Sequence, residues 1–257
     1  MLQIVRALLL IACLLAPSIA HAQWAIDTAF AQTFTSGAGT TIPCSIATIN
    51  AGTLAIAFFS FGDSASSFVG VADDEGQTWT QAGTTLSATS RLSGLWYKEN
   101  HPGGTTVVIT ATMADSSTGR GGVCGTYSGI ATSSALDQVD RAAQTNPGTG
   151  TDAISSTTVP SGLAENGELV IGAIRFNAQG ITNTVGTGFT QRFNGNNGAG
   201  MYIVEDKIGN ITETPAATAT TDSASVDTST HVATFKIAAA AGGGEQQLVI
   251  GSGICRG

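Results

Sequence analysis

From residue 23 onward, hydrophobic positions come in short runs rather than long stripes. Leu54–Phe61, Thr105–Ala111 and Glu168–Phe176 are apolar or β-branched stretches bounded by Gly, Asn, Asp and Ser. Polar and apolar residues alternate in Thr78-Trp79-Thr80-Gln81 and in Val232–Ile237. A period of two and short buried runs are strand signals, and no segment here sustains a capped helical period. Turn chemistry separates the runs: Asp73-Asp74-Glu75-Gly76, His101-Pro102-Gly103-Gly104, Asn146-Pro147-Gly148 and Asn194-Gly195-Asn196-Asn197-Gly198. The pattern predicts an all-β chain.

The pattern also predicts an internal repeat. Gly52–Phe61 lies over Gly167–Phe176, with Gly, Leu, Ile and the final Phe coinciding. Trp79-Thr80-Gln81 lies over Phe189-Thr190-Gln191, Gly94–Asn100 over Gly200–Asp206, and Thr126-Tyr127 over Thr234-Phe235. Two similar antiparallel halves, about 41–130 and 154–240, should each bury one face against the other. The expectation is a two-sheet antiparallel sandwich with jelly-roll connectivity and one core, a single domain over residues 23–241.

The first 22 residues change the cellular picture. Arg6, the apolar run Ala7–Leu15, Pro17 and Ala20-His21-Ala22 have the order of a signal peptide, with cleavage expected before Gln23. The apolar run is shorter than the roughly 20 residues a span needs. The chain is thus expected to be secreted or displayed at the cell surface, with no membrane span. A formal charge of -8 and 11% charged residues argue against nucleic acid as a partner. Cys44, Cys124 and Cys255 remain after the leader. Both Cys44 and Cys124 fall in strand-like runs, so they are the favoured disulfide, which export permits.

A resemblance rests on Asp73, Gly76, Trp79-Thr80, Leu95-Trp96-Tyr97, Asn100, the run Gly104–Thr112 and Tyr127-Ser128-Gly129. This string resembles a loose family of secreted bacterial and phage-associated β-sandwich domains. The family carries no agreed activity, so the resemblance implies a fold and leaves the function open.

Candidate chemistry is sparse. Phe61-Gly62-Asp63-Ser64 resembles the first block of the GDSL esterases, but Asp227 and His231 do not have that family's spacing, and the helices are missing; no catalytic residue is assigned. The remaining histidines are His101, expected in a solvated turn, and His231, expected at a strand start. Asp73, Asp74 and Glu75 are the candidate metal ligands, with calcium as the ion; a hairpin loop that favours Asp for backbone reasons is the competing reading. No other cofactor is indicated. Trp79 and Trp96 read as core, whereas Trp24 and Tyr97 are less constrained. Asn210-Ile211-Thr212 has the form of a glycosylation sequon.

The C-terminal residues 242–257 read as a glycine hinge followed by a strand-like tail. Leu248, Val249 and Ile250 are candidate assembly residues, and Cys255 could lock such a contact. The leading functional expectation is a non-catalytic structural, adhesive or self-assembling surface protein, with the tail as the self-association element. A carbohydrate-binding module, with a glycan partner, is the alternative. A jelly-roll hydrolase acting on glycans or esters is the third.

Overall fold

The computed structural model describes residues 23–62, 66–89, 91–149, 153–196 and 200–239. The compact unit they form is Gln23–Ala238. Its first half contains β1 (Ala25–Thr35), β2 (Gly39–Ile49), β3 (Thr53–Phe61), β4 (Phe68–Asp73), β5 (Thr80–Gln81), β6 (Leu86–Ala88), β7 (Arg91–His101), β8 (Gly104–Ser117) and β9 (Arg120–Ser128). The second half contains β10 (Leu136–Thr145), β11 (Ile154–Ser155), β12 (Glu168–Phe176), β13 (Asn183–Val185), β14 (Thr190–Asn196), β15 (Met201–Gly209), β16 (Thr218–Thr221) and β17 (Asp227–Phe235). Every ladder among the described residues is antiparallel.

The chain is an all-β sandwich, but it has four sheets where the sequence pattern led us to expect two. Two large sheets run β1-β9-β3-β7-β5, with β6 also on β7, and β10-β17-β12-β15-β14. Two small sheets run β2-β8-β4 and β11-β16-β13. The large sheets face each other: Leu54, Ile56, Phe58, Leu95, Val123 and Tyr127 of the first pack on Leu169, Ile171, Ala173, Val204, Ala233 and Phe235 of the second. The small sheet β2-β8-β4 covers the other face of the first large sheet, joining Ile42, Ile46, Val107 and Ile109 to Ala57, Phe59 and Trp96. The sheet β11-β16-β13 covers the far face of the second, where Ile154 and Ala219 meet Ile174, Phe176 and Ile203. The result is four layers with several core clusters instead of one core. This explains why β3 and β12 are buried at every position: each is the middle strand of an inner sheet with both faces covered, so alternation disappears. The outer strands β2 and β8 keep an alternating pattern because one face meets water.

The strand orders of the two halves correspond position for position, β1-β9-β3-β7-β5 with β10-β17-β12-β15-β14 and β2-β8-β4 with β11-β16-β13. Leu54 pairs with Tyr127 as Leu169 pairs with Phe235. Thr80 pairs with Tyr97 as Thr190 pairs with Asp206. The match of Gly94–Asn100 to Gly200–Asp206 is slipped, however. Phe61 pairs with Leu92 and Phe176 with Met201, which sets Tyr97 opposite Asp206 in the correspondence and moves it three residues from the Gly94–Gly200 alignment. An odd shift exchanges faces. Trp96 accordingly lies in the outer cluster of its half, whereas Tyr202 points into the layer between the large sheets.

Two further constraints tie the first half together. Cys44 and Cys124 form a disulfide linking β2 to β9 across two sheets, with Cα atoms 6.3 Å apart. Gly129 has φ +76°, and a Cβ there would meet Gln23 O and Trp24 Cα at 2.9 Å, so only glycine lets the start of β1 cross beneath the end of β9.

Candidate functional site

Asp73, the first of the three acidic candidates, is a buried hydrogen-bond hub. Its Oδ1 accepts from the Gln77 amide at 2.9 Å, and its Oδ2 accepts from Trp79 Nε1 at 2.9 Å. His101 Nε2 lies 3.1 Å from the same Oδ2. His101 Nδ1 accepts from the Gly103 amide at 3.0 Å, so the ring proton sits on Nε2 and is donated to Asp73. His101 is fully buried, contrary to the solvated turn expected from Pro102-Gly103-Gly104. The surrounding turn closes on itself through Gly76 N to Asp73 O, with Gly76 at φ +77°. Asp74 Oδ1 instead accepts from the Val108 amide at 2.8 Å, and Glu75 extends toward Gly104. The three acids are thus directed to separate partners. Among the described residues no group of three His, Cys, Asp or Glu side chains is placed to hold a metal.

A second polar set lies between the two large sheets. The Ser93 hydroxyl donates to Ser229 Oγ at 2.8 Å and lies 3.0 Å from His231 Nε2. Ser60 and Tyr202 share a hydrogen bond between their hydroxyls. Arg175 and Arg91 both reach Asn177 Oδ1, at 3.2 and 2.9 Å. Sequence reasoning missed the Ser93–His231 pair, because the two residues are 138 apart and no local motif marks either.

This pair has the separation of a nucleophile and its base, but not the chemistry. With the Ser93 proton donated to Ser229, His231 Nε2 must carry its own proton and donate to Ser93, the wrong tautomer for taking a proton from it. His231 Nδ1 has no partner among the described residues, so no carboxylate orients the ring. Burial, with a smaller contribution from Arg141, lowers the His231 pKa to about 3. Ser93 and His231 are 1% and 0% exposed, which leaves no path for a substrate. Burial likewise lowers the Arg175 pKa to about 10, and nearby Arg91 adds to the shift.

A third set lies beside an open cleft. A cleft of about 560 Å³ lies between the start of β1 and the β14–β15 edge, bordered by Trp24, Ile26, Thr190, Arg192, Asp206 and Ile208. Asp206 Oδ2 accepts from Tyr127 Oη at 2.8 Å and from Arg192 Nε at 2.6 Å. Burial and the Asp206 charge push the Tyr127 hydroxyl well above its ordinary pKa. Trp24 stands edge-on to Tyr127, ring centres 5.7 Å apart.

The remaining sequence candidates are dispersed. Trp79 and Trp96 are core residues, and Tyr97 is half-buried against Phe235. Asn210 is exposed and bonded to Glu213. Ser64, Asn197, Leu248, Val249, Ile250 and Cys255 lie outside the described residues. No protein-family model, curated protein or solved structure matches the chain.

Proposed function

We propose that the protein is an exported, non-catalytic structural or adhesive module of the cell surface, built by internal duplication. The observation that carries this reading is the burial of His101 and His231. Ser93–His231 and Asp73–His101 have the spacing of catalytic groups, yet all four residues are at most 8% exposed and their hydrogen bonds run inward, joining strands and sheets. A hydrolase of this kind needs its nucleophile and base at a surface a substrate can reach. The disulfide is compatible with an oxidising compartment, and the matching strand orders fit a duplicated half. Self-association through the tail containing Leu248, Val249 and Ile250 belongs to the same reading, with an open sheet edge as its receptor.

The test uses protein recovered from the envelope or culture medium, where intact mass should correspond to a chain beginning at Gln23. That material should take no label from a fluorophosphonate probe and hydrolyse no member of an ester and glycan panel. Labelling of a serine that competes with hydrolysis would overturn the non-catalytic reading.

A further inference from the structure

We propose that Gln23, once it is the first residue of the exported chain, closes on itself to pyroglutamate and caps the protein with a neutral lactam. This modification site rests on the export reading, which puts the cut before Gln23. The fold takes hold of the chain one residue later. Trp24 is 8% exposed and stands edge-on to Tyr127, and Ala25 opens β1 opposite Ser128. The Gln23 carbonyl oxygen and Trp24 Cα pass so close to Gly129 that a Cβ there would meet them at 2.9 Å, so the backbone here is held. Gln23 itself is exposed, and its carboxamide has no hydrogen-bond partner among the described residues.

Gln23 borders the cleft that Arg192, Asp206 and Lys207 also line. Asp206, the carboxylate of that lining, is taken by Arg192 and Tyr127, and Lys207 is paired with Glu213. No lining residue is left over to fix a new α-ammonium in an ion pair. An α-amine has an ordinary pKa of about 7.7–8.0, so near neutral pH a fraction is the uncharged nucleophile. That amine attacks Cδ of the same residue. A bond forms between the backbone nitrogen and Cδ, and the Cδ–Nε2 bond breaks. A proton from the amine passes to the leaving nitrogen, which departs as ammonia. No oxidant or co-reactant is needed. Closing the five-membered ring takes only rotations of a side chain that nothing among the described residues restrains. The lactam removes the terminal charge and the primary amine that an aminopeptidase grips. It thereby shields the next residue, Trp24, whose ring packs on Tyr127.

Protein recovered from the envelope or culture medium is incubated at mildly alkaline pH, and its N-terminal peptide is read by mass spectrometry. We expect a peptide that starts at Gln23 and is lighter than the open form by one ammonia. Pyroglutamyl peptidase should remove that residue from the peptide and leave Trp24 first. Gln23→Asn carries the same amide one carbon nearer the backbone, so its amine would have to close a strained four-membered ring; this variant should keep its primary amine. An open Gln23 that persists through the incubation overturns the proposal and leaves the export reading standing. Cyclisation that occurs only after unfolding in urea overturns it too, because the fold would then be holding the side chain. A first residue other than Gln23 overturns the assigned cut and this proposal with it.

Discussion

Asp73 receives hydrogen bonds from the Trp79 indole, the His101 imidazole and the Gln77 amide, the first two withdrawn from solvent and the third partly so. Asp73→Ala would leave the indole and imidazole donors buried and unpaired at about 1–3 kcal/mol each, so a loss of about 3–5 kcal/mol is expected. Trp79→Phe removes one donor, keeps most of the ring packing and leaves Asp73 with partners, and should cost about 1 kcal/mol. Urea midpoints compare the two; an Asp73→Ala loss no larger than that of Trp79→Phe would refute the hub. The spacing of Asp73, Gly76 and Trp79 was visible in the sequence because a turn has a local signature. The role of Asp73 was not, because His101 arrives from 28 residues away. The same limit hid Ser93 and His231, while the bulk of Trp79 and Trp96 sufficed to mark them as core.

At the scale of strands, β3 and β12 were legible as unbroken apolar runs, and β17 as an alternating one. The outer layers were not. The strands β11, β13 and β16 span two, three and four residues, and stretches that short do not rise above loop composition. The register of β15 against β7 was misread because the shared Gly94 and Gly200 drew the alignment, whereas the ladder is fixed by Leu92 and Met201 opposite Phe61 and Phe176. The disulfide was legible because both cysteines lie in strand-like runs. It closes a separation of 80 residues between two sheets, and reducing it should destabilise the fold by about 2–5 kcal/mol. Denaturant unfolding with and without reductant measures this; identical midpoints would show that the cross-link carries no part of the stability.

Across the whole molecule, the layer between the large sheets is apolar toward Trp24, Leu54 and Phe235 and polar toward Ser60, Ser93, Arg175, Tyr202 and His231. Its polar end makes stability depend on pH in a definite direction. The folded state holds His231 neutral, with a pKa lowered from 6.5 to about 3 by burial and Arg141. The unfolded chain therefore binds the extra proton between those values. The His231 contribution is complete above the unfolded pKa and is lost as pH falls toward 3, at up to about 1.4 kcal/mol per pH unit. Replacing His231 with Gln should remove that share of the acid sensitivity.

The claim that the catalytic-looking groups are interior scaffold is tested most directly by nitrogen–carbon NMR of the His231 ring during an acid titration of the folded protein. Burial and the Ser93 geometry predict a neutral ring with its proton on Nε2 and no titration at the unfolded value of 6.5. A ring that titrates near 6.5, or that carries its neutral-state proton on Nδ1 and leaves Nε2 free to accept from Ser93, would contradict the account.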